Sequence, residues 1–216
     1  MVLIAQDAQA QNTGDVPTVA VMDFNGLMVA DGGNSIPIGK AVSSMLVTEF
    51  SGREGLKVLE RANLQSILTE QKLALSGRVE ESSAVEIGKM LGVQYMFYGA
   101  VVSMGNQLRV DIRAVNVETT EVVTVLKKND TPEQLLDVVV WVADEFTKKL
   151  NLVPPSGRPP VEAVPVKATI EFSRGVDFED RGDTAKALEH YQKALEVYPN
   201  HRDAQRAVAR LRAGDV

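Results

Sequence analysis

Hydrophobic and polar positions along the chain fall into stretches of period two and stretches of period near 3.6, and these mark out the elements. Residues 19–24 form a short apolar run ending in turn-forming residues, which predicts a buried strand. Residues 25–37 hold Gly26, Gly32, Gly33 and Asn34 and predict a loop. Ile38, Val42, Met45, Leu46 and Phe50 then recur at helical spacing, a stripe suited to lie against a sheet. Residues 56–59 read as a second strand. Leu64, Ile67 and Leu68 share one face of a helix that stops by Gly77. Ser83 and Glu86 have capping-box spacing, and the helix they open carries Ala84, Ile87 and Leu91 and ends near Gly92.

Residues 93–102 are strongly β-prone, and residues 104–107 make a compact turn. In the next strand Leu108, Val110, Ile112 and Ala114 alternate with Arg109, Asp111 and Arg113, so one face is buried and one wet. Residues 116–120 turn the chain, and residues 121–126 return as a strand. Thr131, Pro132 and Gln134 mark a helix start, after which Leu136, Val140, Ala143, Phe146 and Leu150 line one face. The order β-α-β-α-α-β-β-β-α predicts an α/β or α+β domain over residues 17–150, a mixed sheet with helices on one or both faces.

Five prolines between residues 153 and 165 block helix and inner strand alike, so residues 151–166 read as an extended, stiff linker. Beyond it, residues 167–213 resemble a single tetratricopeptide repeat with a capping helix. Gly175, Phe178, Ala187, Tyr191, Ala194 and Pro199 stand at that repeat's offsets, while Glu171 and Arg174 stand where large apolar residues are usual. Gly175 and Ala187 let two helices approach, Phe178 and Tyr191 fill the groove, and Asp183 caps the second helix after Gly182. One repeat cannot bury its own apolar face. The remainder must meet the first domain, another subunit or a foreign segment. Arg202, Arg206 and Arg210 form a basic stripe on the last helix, either a contact for an acidic partner or a solvated face. Phe178, Tyr191, Arg202, Arg206 and Arg210 are therefore the candidate protein-binding residues.

Composition narrows the function. The net charge is -6, and residues 1–150 carry 13 Lys+Arg against 19 Asp+Glu while residues 151–216 carry 10 of each. Nothing here attracts nucleic acid or an anionic membrane. No run of about 20 apolar residues exists to span a bilayer as a helix. The absence of cysteine excludes disulfides, thiolate chemistry and a lipid-anchoring cysteine in this chain. Residues 1–11, ending near Ala8 and Ala10, read either as the last part of a trimmed secretory signal or as a polar leader; residues 1–16 are expected to be poorly ordered.

Catalytic chemistry finds no constellation. Gly39-Lys40 follows a glycine-rich loop, but Asn34 and Ala41 stand where a phosphate-binding loop needs Gly and Ser or Thr. His190 and His201 lack companion ligands and read as polar surface residues. Asp23 sits at a strand end without a base or nucleophile beside it, as a turn or helix-capping residue would. Glu60 and Arg61 read as local polar contacts at a helix entrance. No cofactor or metal is expected.

Several of these segments together resemble the curli-secretion (CsgG) family. They are residues 19–24, Leu56-Lys57-Val58-Leu59-Glu60-Arg61, Ile67-Leu68 with Glu70, Ile87-Gly88 with Leu91-Gly92 and Gly99, and the run from Val110 to Val122. The resemblance covers nearly all of residues 17–150. It implies a mixed sheet similar to those of the peptidoglycan-synthase activator lipoproteins and the TolB N-terminal domain. It also implies a non-enzymatic envelope component, periplasmic or outer-membrane-associated, that binds protein partners and can form a homo-oligomer. The curli pore inserts two long hairpins, which would fall at residues 100–108 and 126–132. Both gaps here are too short for strands of about 9–11 residues. An accessory or scaffold role is thus expected, with a periplasmic ring-forming component as the alternative.

Overall fold

A computed structural model describes residues 16–29, 35–70, 81–153, 155 and 161–214; the expectations for residues 1–15, for Gly32 and Gly33, for Gly77 and for most of the proline run lie outside them. Strands β1 (Thr18–Val21), β2 (Asn25–Val29), β3 (Ser35–Ile36), β4 (Lys57–Val58), β5 (Tyr95–Met104), β6 (Gln107–Asn116) and β7 (Val122–Asp130) form one mixed sheet. β1 and β2 both pair in parallel with the same edge of β5, with Val21 opposite Phe97 and Asn25 opposite Ala100. Four steps along one strand match three along the other, so β1 and β2 are one strand line broken at residues 22–24. β4 lies parallel to β1, and β3 lies antiparallel to β2. On the other edge β5, β6 and β7 form an antiparallel meander.

The predicted loop at residues 25–37 is corrected by β2 and β3. A glycine-bearing parallel strand of five residues has no local pattern to announce it. β7 also runs to Asp130, beyond the expected end at residue 126, because its last turns of pairing involve polar residues on an edge. β5 and β6 are joined at Gly105 and Asn106, with Gly105 at φ 57. Residues 131–134 carry β7 directly into the next helix through a 3-10 turn at Pro132–Gln134. No ribbon leaves the sheet at either place.

Helices α1 (Gly39–Ser51) and α4 (Leu135–Lys149) lie on one face, where Val19, Val21, Phe97, Val110 and Ile112 meet Val42, Leu46, Phe50, Val142 and Phe146. Phe146 takes an edge-on position to Phe97, with centroids 4.6 Å apart. Helices α2 (Arg61–Glu70) and α3 (Glu81–Leu91) cover the opposite face, where Ala20, Met22, Met96 and Val115 meet Leu64, Ala84 and Ile87. α3 begins two residues before Ser83, which lies inside it. Ala114 and Val115 of β6 point into the two opposite cores, as strand alternation requires, and beside them a bulge in β7 moves the pairing from Thr124 to Val122.

The C-terminal part is three helices, α5 (Val166–Asp180), α6 (Thr184–Val197) and α7 (Arg202–Ala213). A Cβ on Gly175 would stand 2.4 Å from the Tyr191 ring, so glycine permits the α5–α6 approach. Gly182 turns the chain at φ 75, and the Asp183 carboxylate accepts from Lys186 N. Val164 is buried at the linker's end, its N–H donating to Glu133 O.

Candidate interaction site between the sheet and the repeat

The break between β1 and β2 places Asp23 outside the ends of parallel strands, the crevice where open α/β sheets gather functional groups. Phe24 O points at the start of α1, where Gly39 leaves no room: a Cβ there would lie 1.8 Å from that oxygen. Gly39 therefore serves close packing rather than a phosphate cradle. Asp23 accepts from Arg61 Nε at 3.0 Å and Nη2 at 2.9 Å, from Gln65 Nε2 at 3.0 Å and from Ser43 Oγ at 3.2 Å. It is a hub joining α1 and α2 to the strand break, which corrects the reading of Asp23 as a turn or cap residue.

Arg61 reaches further than the helix entrance. Its guanidinium also grips Asp180, with Nη2 at 2.8 Å from Oδ2. Lys40 at the start of α1 holds Asp180 at 2.7 Å and Asp177 at 3.1 Å. Both acids belong to α5, so this cluster ties the repeat to the sheet domain. Burial opposes the charge on Lys40, yet Asp180 and Asp177 together outweigh it and hold the ammonium above its ordinary value. Burial likewise pushes the Asp180 carboxyl up, but Arg61 and Lys40 bring it below the usual range. Lys40 and Arg61 answer three carboxylates here, Asp23, Asp177 and Asp180, with Arg61 spanning Asp23 and Asp180 and Arg181 adding a further cation at Asp177. The arrangement is a clamp.

A second pole of opposite sense lies nine residues along α1, or about 13 Å at 1.5 Å per residue. Glu49, only 4% exposed, accepts from Arg202 Nη2 of α7 at 2.6 Å. The buried Asp203 carboxylate lies beside Thr48, and His201 Nδ1 caps α7 by accepting from Ala204 N. His201 is 3% exposed, its ring 4.8 Å from that of Phe172, so the expected polar surface residue is a buried cap. Burial holds its ring well below the usual value, at about 4. Burial raises Asp203 to about 6, with Glu49 adding to the rise and Thr48 opposing it.

Between the poles the apolar core is continuous. Val176, Phe172, Ala204 and Leu211 of the repeat belong to the same cluster as Met45, Leu46 and Phe50 of α1, and Ser173 Oγ donates to Pro37 O. Nine of the thirteen residues of α1 are buried, including Ser43, Val47 and Glu49, because the helix is held between sheet and repeat. The unburied surface of the lone repeat is thus met by the first domain.

The candidate protein-binding residues separate. Tyr191 is inside the repeat, donating to Glu179 at 2.7 Å. Arg202 is on Glu49, and Arg210 is 2.6 Å from Glu179. Arg206 is exposed. Phe178 stacks on His190 at 5.2 Å, with the Lys186 and Arg181 cations 5.2 and 5.9 Å from its ring. Glu171, at a place where the repeat usually has an apolar residue, is buried and bonded to His190 at 2.7 Å and Arg174 at 2.8 Å. Among the described residues no cluster of His, Cys, Asp and Glu could hold a metal, and no helix is long and apolar enough to cross a membrane.

Fold and clamp define a mixed α/β domain bearing a helical repeat. Residues 3–109 match the family described as curli production assembly/transport component CsgG, and residues 168–201 match the tetratricopeptide repeat. An N-terminal CsgG-family domain thus precedes a tetratricopeptide-like repeat in this chain. No curated protein matches it. Among solved structures, the LpoB C-terminal domain of Salmonella enterica is 16% identical with a TM-score of 0.44, covering 57% of this chain and 88% of that one. TolB of Acinetobacter baumannii is 12% identical with a TM-score of 0.44, over 66% of this chain and 30% of that one. Lipoprotein GNA1162 of Neisseria meningitidis is 10% identical with a TM-score of 0.42, over 61% of this chain and 99% of that one.

Proposed function

We propose that this chain is an exported scaffold protein of a bacterial cell envelope, periplasmic or outer-membrane-associated, that captures protein partners through its repeat. The observation that carries the reading is the seating of α5 and α7 on α1 by two poles of opposite charge. A repeat held this way presents its outer surface rigidly, and binding then costs less ordering entropy than it would on a free tether. Two places are left for a partner, the half-buried Phe178 among His190, Lys186 and Arg181 and the exposed Arg206 of α7, and basic and aromatic groups of this kind suit an acidic segment with an apolar anchor. Crosslinking in envelope extract should give a discrete adduct with the native chain and lose it with Phe178→Ala or Arg206→Glu. An adduct indifferent to both substitutions speaks against this surface, and a chain that forms none speaks against the scaffold role.

Self-association, as in a ring-forming component, is a second reading carried by a different feature. One half of one sheet face bears exposed apolar side chains, which soluble domains normally cover. Negative-stain microscopy should show closed particles of defined size; their absence over a broad concentration range removes the ring.

A further inference from the structure

The two faces of the sheet are covered unequally. α1 and α4 pack along one face, whereas α2 and α3 pack over Ala20, Met22, Met96 and Tyr98 at one end of the other. Every second residue of β5 points to that second face. Met96 and Tyr98 are buried there, but Val102 and Met104 are 50% and 66% exposed. Leu27 and Val29 of β2 lie in register with Val102 and Met104, and both are exposed, as is Val125 of β7. Five of the eight exposed large apolar residues among those described therefore share one half-face. Arg109, Arg113 and Lys127 stand on the same side of β6 and β7, with Asp111 as the acid among them. On a chain of net charge -6 this is a mainly basic frame along one side of the Leu27–Val102–Met104 floor, with Arg109 paired to Asp111 and with Val125 and Lys127 on the far side of the β6 row.

The complement sits beside it. α3 lies on the same side of the sheet and turns Glu86 and Met90 outward, both exposed, with Lys89 in its last turn. We propose that the bare half-face is the contact between two copies of this chain, related by a two-fold axis. Each copy lays the Glu86–Met90 edge of α3 on the other's Leu27–Val102–Met104 floor. The proposal rests on self-association alone and stands in place of a ring through this half-face, because a two-fold contact closes at two copies. A two-fold contact uses the same patch on both copies, so a patch that holds acid and apolar surface at one end and basic and apolar surface at the other is self-complementary. The added helix supplies the cover that the strands lack, and Glu86 faces the Arg113 side of the frame.

Sedimentation equilibrium on the full chain over about 1–200 μM tests it, a range that spans micromolar dissociation constants. The native chain is expected to dimerise. Val102→Lys, a change at an exposed position whose fold is checked by circular dichroism, should weaken the dimer at least about tenfold. Glu86→Lys and Arg113→Glu should each weaken self-association in the same way. Mixed together they should pair with each other, because both contacts of the two-fold are then attractive again. A native oligomer indifferent to Val102→Lys overturns this surface while leaving self-association to another one. A native monomer throughout overturns both. A dimer weakened by the single substitutions but not restored on mixing overturns the role of α3.

Discussion

At the scale of single residues, several side chains sit in surroundings that contradict their type. Gly39 is the sharpest case. Alanine there must displace the Phe24 carbonyl, so Gly39→Ala should lower stability by about 3 kcal/mol in urea unfolding, at the upper end of the ordinary cost of overpacking. His201 and Asp203 make the second case, because they titrate in opposite senses. The His201 ring is held from its ordinary 6.5 down to about 4, so its contribution is complete above pH 6.5 and is lost as pH falls toward 4. Asp203 is raised from 3.8 to about 6, so its contribution is complete below 3.8 and is lost as pH rises through 6. Between about pH 4 and 6 the two slopes oppose, each near 1.4 kcal/mol per unit at most. The native chain should therefore show a flat stability profile there. His201→Asn, which keeps a capping acceptor, should grow more stable as pH falls from 7 to 4, and Asp203→Asn less stable. Urea midpoints across that range check both; a native profile as steep as either variant's contradicts the pairing. Thr48 and Glu49 on α1 and Arg202 and Arg206 on α7 act on Asp203, so their substitution shifts its profile, whereas burial alone sets that of His201.

Elements were legible where the pattern is local. The stripe of α1, the alternation of β6 and the glycine and tyrosine that close the α5–α6 hairpin all read directly from spacing. β2 and β3 did not, because Asn25 and Gly26 carry no strand signal and the pairing that makes them strands comes from β5. The polar end of β7 escaped for the same reason. The clamp was the least legible part. Lys40, Arg61, Asp177 and Asp180 each look like solvated charges in sequence, and only tertiary structure brings residues 119 positions apart into one ion pair. Its signal was indirect: too much of α1 is small or apolar for a helix with one covered face. Removing one partner from a largely buried pair leaves the other without compensation. Asp180→Asn should accordingly destabilise the α5 contact by about 2 kcal/mol, less than a fully buried pair because Asp23 still holds Arg61. Acid below the ordinary carboxylate value of 3.8 should loosen the contact as well, since the contribution of a lowered Asp180 is present above that pH and is lost as pH falls through its folded value. Faster hydrogen exchange in α5, with α3 unchanged, is the expected reading in both experiments.

At the scale of the whole molecule, the proline-bearing segment joins two parts that the contacts make one. Continuous apolar packing and two charge poles couple the repeat to the sheet through α1, so the parts should open together. In the proposed scaffold this build fixes the outer surface of the repeat, and in the proposed pair the bare half-sheet meets a second copy. Native-state hydrogen exchange resolved by element tests the coupling most directly. If the repeat is seated on α1, amides of α1 and α5 exchange with one opening free energy, and Asp180→Asn lowers both by the same amount. If α5 to α7 exchange at a lower free energy than α1, and the substitution leaves α1 untouched, the repeat is only tethered and the account fails.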